Sequence, residues 1–400
     1  MKETNQYIQF FEAERQRIDS GSSVILNARR DEAATAFARL GFPTQKVERY
    51  KYTEVAKAFA PNYGIQTRAA LEQELADDRV AALYGTLADV NSDGITALNT
   101  MLVQDLMVIH VAAGEHKEHP VQITNTLGAT APLMQNRRMM IIAEAGAEVQ
   151  IILNEKAETG QDFLTTQVTE VFVGEGARVE LYDIEDTHDR CHRFHQVFAN
   201  VAAGGHLTHT VFTLAGGVTR NQTDVRLVGE GADVQLLGCA ITSGSQHVDN
   251  NTLIDHVAPG CTSRELYKYV VDQQSTGAFA GKVLVREGAQ QTDSQERNAN
   301  LVCTEEARMW TQPMLEIYAD DVKCSHGSTV GQLNDDALFY MRQRGISEAE
   351  ARLLLKQAFA SEVIGQISLT PLRDRLHYLI DKRFRGELNH CRTCRLCSKA

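Results

Sequence analysis

Residues 174–214, GEGARVELYDIEDTHDRCHRFHQVFANVAAGGHLTHTVFTL, hold the pattern that decides the fold. A small-residue corner, Gly174-Glu175-Gly176-Ala177, opens an alternating segment, Arg178–Ile184. A second segment, Arg193–Val201, returns before the next corner, Ala202-Ala203-Gly204-Gly205, and Leu207–Leu214 starts the cycle again. Alternation at this period is the mark of a strand with one buried face. Corners of the same kind recur at Glu144–Ala147, Gly229–Ala232, Ala258–Cys261 and Arg286–Ala289, at a spacing of roughly 26 to 30 residues. The segments Gln222–Val228, Asp233–Ile241 and Ser263–Val270 fill the intervals. One such unit cannot bury its own apolar face, whereas stacked copies enclose a continuous interior. The expectation is a mainly β chain built on a parallel β-helix, wound right-handed as parallel crossovers are. Glycine at the corners supplies the positive φ that a sharp turn demands. A two-sheet sandwich is the structural rival, and it would need hairpin-length loops instead of a fixed long period.

The repeat is flanked by helical patterns. Four stretches follow: a mostly helical region over 1–100, the β-helix over 101–333, a helical region over 334–388 and a Cys-rich tail over 389–400. Near the N-terminus Ile8, Phe11 and Ala13 begin one apolar stripe, and Ala33, Phe37, Ala38 and Leu40 form another. Gly41-Phe42-Pro43-Thr44 interrupts them. After the β region, Asn334 or Asp335 suits a helix N-cap, Ala337, Leu338 and Met341 begin a stripe, and Gly345 suits the C-terminal end. Ser347 with Glu350 forms a capping box. Leu353, Leu354, Gln357, Ala358, Ser361 and Ile364 then share a helical face, and Leu372, Leu376 and Ile380 repeat at helical spacing after Pro371. This region is expected to dock on the end of the β-helix and cover the edge of its last coil.

With 400 residues the chain can bury a large core, and its net charge of -12 argues against nucleic acid as a partner. The apolar run Leu106–Ala113 is far too short to span a membrane, and the polar N-terminus has no signal-peptide core. A soluble cytoplasmic protein is expected, and its eight cysteines are then thiols or metal ligands sooner than disulfides.

Chemistry concentrates first in residues 314–344, MLEIYADDVKCSHGSTVGQLNDDALFYMRQR. Leu315, Ile317 and Ala319 share a parity, and if the strand continues, Cys324 and His326 face the same side. A thiol beside an imidazole can ligate a soft metal or pass a proton. Lys323 would favour the thiolate, although its side chain points the other way on a regular strand.

This stretch closely resembles the C-terminal signature of the SufB/SufD family of iron–sulfur cluster assembly proteins. Its Cys-Ser-His-Gly form is similar to the SufD type; the Glu-His-Glu type of sequence of SufB is absent. Lys46–Thr53, KVERYKYT, is similar to a second family element, with Tyr50 where Trp often stands, and Ile95–Asn99 is a third short match. Taken by itself the Lys46–Thr53 segment reads as an aromatic surface turn after a helical hairpin. The resemblance implies a β-helix with helical ends, a partner SufB at the β-helix edge and an ATPase partner, SufC, at the C-terminal helices. It also implies that His326 lies at the subunit interface where a transient iron–sulfur cluster is built, with Cys324 in the same motif. No cofactor is expected to be bound permanently, and the subunit is expected to be a non-catalytic scaffold.

Other constellations carry less. The tail, His390-Cys391-Arg392-Thr393-Cys394-Arg395-Leu396-Cys397, has the three-cysteine run of cluster loops, with His390 or another chain as a fourth ligand. In His188–His195, Cys191 and His195 share one parity and His192 takes the other, which argues against a metal site. Gly277–Val283 mimics a phosphate loop but is one residue short and lacks Ser or Thr after Lys282. The polar stretch Gln290–Val302 reads as a solvated coil face. Two other functions stay open at this level. One is a β-helix enzyme on a polysaccharide, using Asp183, Glu185 and Asp186 in an open groove. The other is a homodimeric protein that stores iron or a cluster through its tail.

Overall fold

The computed structural model describes residues 2–65 and 78–387. The chain begins with helices α1 (Lys2–Ser20), α2 (Val24–Asn27), α3 (Arg30–Leu40) and α4 (Val55–Phe59), then the short strand β1 (Gly64–Ile65), and α5 (Asp78–Leu83) and α6 (Gly94–Leu102). Sixteen longer strands follow. The even ones are β2 (Leu106–Val111), β4 (Leu133–Ala143), β6 (Phe163–Val173), β8 (Cys191–Val201), β10 (Val218–Leu227), β12 (His247–His256), β14 (Thr276–Val285) and β16 (Arg308–Ile317). The odd ones are β3 (Val121–Leu127), β5 (Glu148–Ala157), β7 (Arg178–Asp186), β9 (His206–Ala215), β11 (Asp233–Thr242), β13 (Thr262–Val271), β15 (Thr292–Val302) and β17 (Val322–Gly331). Helices α7 (Asp335–Gln343), α8 (Glu348–Ile364) and α9 (Thr370–Arg385) complete the described chain.

Even strands form one sheet, to which β1 is also added, and odd strands form the other. Every pairing is parallel and joins residues one full coil apart, such as Leu133 with Phe163, Phe163 with Cys191 and Val218 with His247. That is a β-solenoid of about eight turns, and the parallel pairing excludes a sandwich joined by hairpins. The corners behave as their glycines predict. Gly146, Gly176, Gly204, Gly231 and Gly260 have φ between 59° and 68°, a region costly for a residue with a Cβ. Gly288 departs from that pattern; at its corner the left-handed residue is Gln291, with φ 60°.

Inside, Ile141, Val171, Ala199, Val225, Ile254 and Val283 stack in register along the even sheet. They belong to one apolar core that runs the length of the solenoid. Such a ladder is what gives each coil a partner for its buried face.

The helical ends lie on opposite flanks. The N-terminal region covers the outer face of the even sheet, where Phe59 meets Phe194 at a ring separation of 4.9 Å. The buried stripe of α1 is Thr4, Tyr7, Phe11 and Ile18; Ile8 is half-buried and Ala13 is exposed. On α3 the buried face is Ala33, Ala36 and Phe37, with Ala38 outside. Helix α6 is buried on all sides, and at its start Gly94 approaches the backbone of Gly41 so closely that a Cβ would sit 1.9 Å from the Gly41 carbonyl.

Helices α8 and α9 cover the outer face of the odd sheet. Ala360, Val363, Ile364, Leu372, Leu376 and Ile380 pack there on Phe212, Leu237 and Ile241. This corrects two expectations. The helices lie along the flank of the solenoid and leave the edge of its last coil open, because the outward faces of β7, β9 and β11 are themselves apolar and need a cover. The buried face of α8 is also rotated from the one that periodicity suggests. Leu354 and Ala358 are exposed, since the run Leu353-Leu354-Leu355 offers apolar residues in several directions. The caps are as expected: Asn334 accepts from the Ala337 amide at 3.0 Å and Ser347 from the Glu350 amide at 3.3 Å.

Candidate functional site: the open last coil

Residues 314–331 do not form one strand. β16 ends at Ile317, the chain turns through Tyr318–Asp321, and β17 begins in the opposite sheet. Within β17 the expected parity of Cys324 and His326 is retained. Cys324 pairs in register with Ser294, and His326 with Glu296, both of which face the interior. Cys324 is half-buried against the apolar core, while His326 is exposed, because among the described residues no further coil lies above β17. Burial pushes the Cys324 thiol above its usual pKa, against a backbone hydrogen bond with Ser294 that acts the other way. Lys323 is exposed on the other parity and does not activate the thiol, contrary to the electrostatic expectation.

His326 ends a column that crosses the whole odd sheet. In register it reads Val121, Ile151, Leu181, His209, Leu236, Glu265, Glu296, His326. The first three residues are apolar, His209 is a buried imidazole between Leu181 and Leu236, and the last three are ionisable. Glu265 and Glu296 are 4% and 1% exposed. Burial raises the pKa of both carboxyls, and the charge of Glu265 adds to the rise at Glu296. The Thr252 hydroxyl donates to Glu265 Oε1 at 2.6 Å. Gly281 on the facing sheet leaves room for Glu296; a Cβ there would stand 2.4 Å from Glu296 Oε1.

The stretch Gln290–Val302 is therefore not a solvated face. Thr292, Ser294, Glu296, Asn298 and Asn300 are all buried, and only the alternate residues meet solvent or the flank. Ser328 on the last rung donates to Asn298 at 3.2 Å and shares a hydrogen bond of 2.6 Å with Thr311 across the coil. Polarity alone suggests exposure, whereas counting one and two coils back from His326 would have placed Glu296 and Glu265 beneath it.

The segment Lys46–Thr53 is likewise more than a surface turn. Tyr50 is 2% exposed, donates to Asp93 at 2.5 Å, and lies under the Arg220 guanidinium at 3.9 Å. Arg49 forms a two-pronged pair with Asp224 and donates to Asn251 at 2.8 Å. Thr53 donates to Asp249 at 2.6 Å. Tyr52 stacks on Trp310 of β16 at 5.6 Å and donates to Gln312. The segment straps the N-terminal region across β10, β12 and β16, reaching the last rung.

Around that rung lie the exposed apolar side chains Trp310, Ile317, Tyr318 and Val330, and Phe339 and Tyr340 follow on α7. Among the described residues, strands β16 and β17 each pair on one side only. An apolar rim beside two unpaired backbone edges is a surface suited to a further coil or a partner chain.

Elsewhere the structure brings fewer groups together. Among the described residues no three His, Cys, Asp or Glu side chains converge as a metal site. Cys191 lies 3.6 Å from His188, while His195 pairs with Asp183 at 2.6 Å. Asp183 and Glu185 are sealed within the coil beside Arg193, and Asp186, at the end of β7, is 9% exposed, so the three do not gather in an open groove as a polysaccharide enzyme requires. Gly277–Val283 is strand, part of β14. His390, Cys391, Cys394 and Cys397 lie outside the described residues. No helix among the described residues is long and apolar enough to cross a membrane.

A parallel solenoid with helical flanks and a Cys-x-His rung at its open end defines a class that comparison with known proteins identifies. Residues 125–359 match the family model described as the SufBD core domain of the SUF system for FeS cluster assembly. Residues 1–75 and 69–123 match the SufBD N-terminal region. The chain is 28% identical to the iron-sulfur cluster assembly protein SufD of Escherichia coli over 384 residues, covering 87% of this chain and 90% of the relative. It is 31% identical over 317 residues to an iron-sulfur cluster assembly SufBD family protein of Synechocystis, covering 76% and 69%. A SufBD family protein of Mycobacterium tuberculosis is 33% identical over 270 residues, covering 66% and 67%. The chain thus belongs to the SufB/SufD family of iron–sulfur cluster assembly proteins and is of the SufD type.

Proposed function

We propose that this chain is the SufD-like subunit of a SufBCD assembly complex. Its last coil pairs edge to edge with a SufB subunit, and a nascent cluster forms between them with His326 and Cys324 as this chain's contribution. SufC subunits dock on the C-terminal helices and supply ATP hydrolysis; this chain has no phosphate loop of its own and acts as a scaffold. The observation that carries the reading is the uncovered last rung, with His326 exposed between two unpaired strand edges. Phe339 and Tyr340 on α7 and Leu354 on α8 are exposed apolar side chains suited to a docked subunit. The complex works in the cytoplasm, and the tail residues His390, Cys391, Cys394 and Cys397 offer a transient site for iron or a cluster.

The test is co-expression of the chain with SufB and SufC partners. His326→Ala is expected to leave the complex assembled and to abolish cluster formation, read by absorbance and iron content. Full cluster yield from that variant refutes the role of His326. A chain that purifies only as an iron-loaded homodimer would instead favour storage.

A further inference from the structure

The column beneath His326 holds two carboxylates in a setting that a folded protein does not ordinarily retain. Three of their four oxygens, Glu265 Oε2 and both of Glu296, are buried without a hydrogen-bond partner among the described residues. No basic side chain among the described residues acts on either of them. A buried carboxyl without a countercharge is held protonated by its burial, and a cation that displaces the proton is one partner that completes such a pair. The backbone opposite is kept bare at Gly281, and the Glu296 carboxyl fills the place a Cβ would take, with Oε1 2.4 Å from it. Adjacent rungs of a parallel sheet are about 4.8 Å apart, a separation at which two carboxylates can hold one cation at about 2.1 Å from each.

We propose that Glu265 and Glu296 form a binding site for one divalent cation of the size of ferrous iron, reached through the open last coil past His326. Two carboxylates with water fill such an ion's coordination shell, and imidazole is a suitable next ligand on the way out. The ion would wait one rung below the place where clusters are proposed to form. Only the naming of iron as its cargo rests on the proposed function; the site itself rests on the buried carboxylates.

The experiment is an anaerobic calorimetric titration of the full chain with Fe²⁺ and, separately, Co²⁺. Cys391, Cys394 and Cys397 are changed to Ser so that the tail adds no binding. One ion per chain is expected. Glu296→Gln and Glu265→Gln should each weaken binding at least tenfold with an unchanged melting temperature. Gly281→Ala, which crowds the Glu296 carboxylate but keeps both ligands, should weaken it as well. Absence of binding in the parent, or equal affinity in Glu296→Gln, overturns the proposal. The cluster assay on His326→Ala fails independently: full yield there defeats the assembly reading and leaves the titration result standing.

Discussion

The middle coils and the last coils of the solenoid bury polar groups in opposite ways. In the middle, Arg193 meets Asp183 at 2.5 Å and lies 3.9 Å from both Glu155 and Glu185, while His195 also pairs with Asp183. Under the N-terminal region, Arg138 and Glu170 pair at 2.8 Å, and Glu170 also accepts from the amides of Gly85, Leu87 and Ala88. Each of these carboxyls has an arginine within 3.9 Å. In the last coils Glu265 and Glu296 have no basic partner among the described residues, and β17, the rung above Glu296, has no described strand on its other side. Compensated charge inside a solenoid fixes neighbouring coils against each other, whereas uncompensated charge beside an opening marks a place where something binds.

This contrast can be broken most severely at Arg193. Arg193→Ala strands Asp183 and its neighbours without a countercharge and should cost about 3–5 kcal/mol in urea denaturation. A loss below 1 kcal/mol would show that the middle network is not compensated as described. Asp183→Asn should destabilise by about 2–3 kcal/mol, whereas Glu296→Gln should leave stability unchanged, because a neutral amide replaces a carboxyl that has no hydrogen bond to lose. If both variants destabilise alike, the two regions do not differ.

Within the middle network the carboxyls diverge in their titration. Arg193 and His195 outweigh burial at Asp183 and hold its pKa well below the usual range. Burial dominates at Glu185 and pushes it up to about 8. A raised folded pKa means that Glu185 favours the fold fully below the ordinary value of 4.5, and that this contribution is lost as pH climbs toward 8. Glu185→Gln should therefore flatten the decline of stability across that window, as measured by melting at successive pH values. An unaltered slope would exclude Glu185 as its source.

A smaller effect is expected at a corner. Gly176→Ala places a Cβ at a φ of 61° in open space, so only backbone strain opposes it, at about 1 kcal/mol. The smallest is expected at the last rung. His326→Ala should change stability by less than about 0.5 kcal/mol, because the ring is exposed and packs against no further coil. A large loss there would make His326 a structural residue.

Local chemistry made much of this molecule readable from its residues. The corner glycines announce the coil because positive φ is a property of a single residue, and Gly176 or Gly231 needs no distant partner to be recognised. The common parity of Cys324 and His326 is equally local, as are the caps at Asn334 and Ser347. Where a reading failed, the deciding contact came from far along the chain. Tyr50 reads as a surface aromatic until Arg220 covers it, and Gln290–Val302 reads as solvated until the coil closes over it. The face of α8 depends on which apolar strands need a cover.

The sequence alone therefore determines that the chain winds into stacked coils, and that a thiol and an imidazole share one side of a strand. Both follow from side-chain period and backbone sterics within a few residues. Only the tertiary structure decides that this strand is the last described rung, and that two buried carboxyls without a countercharge among the described residues stand one and two rungs beneath its histidine. Those facts arise from register between coils, which brings residues about thirty positions apart to about 4.8 Å.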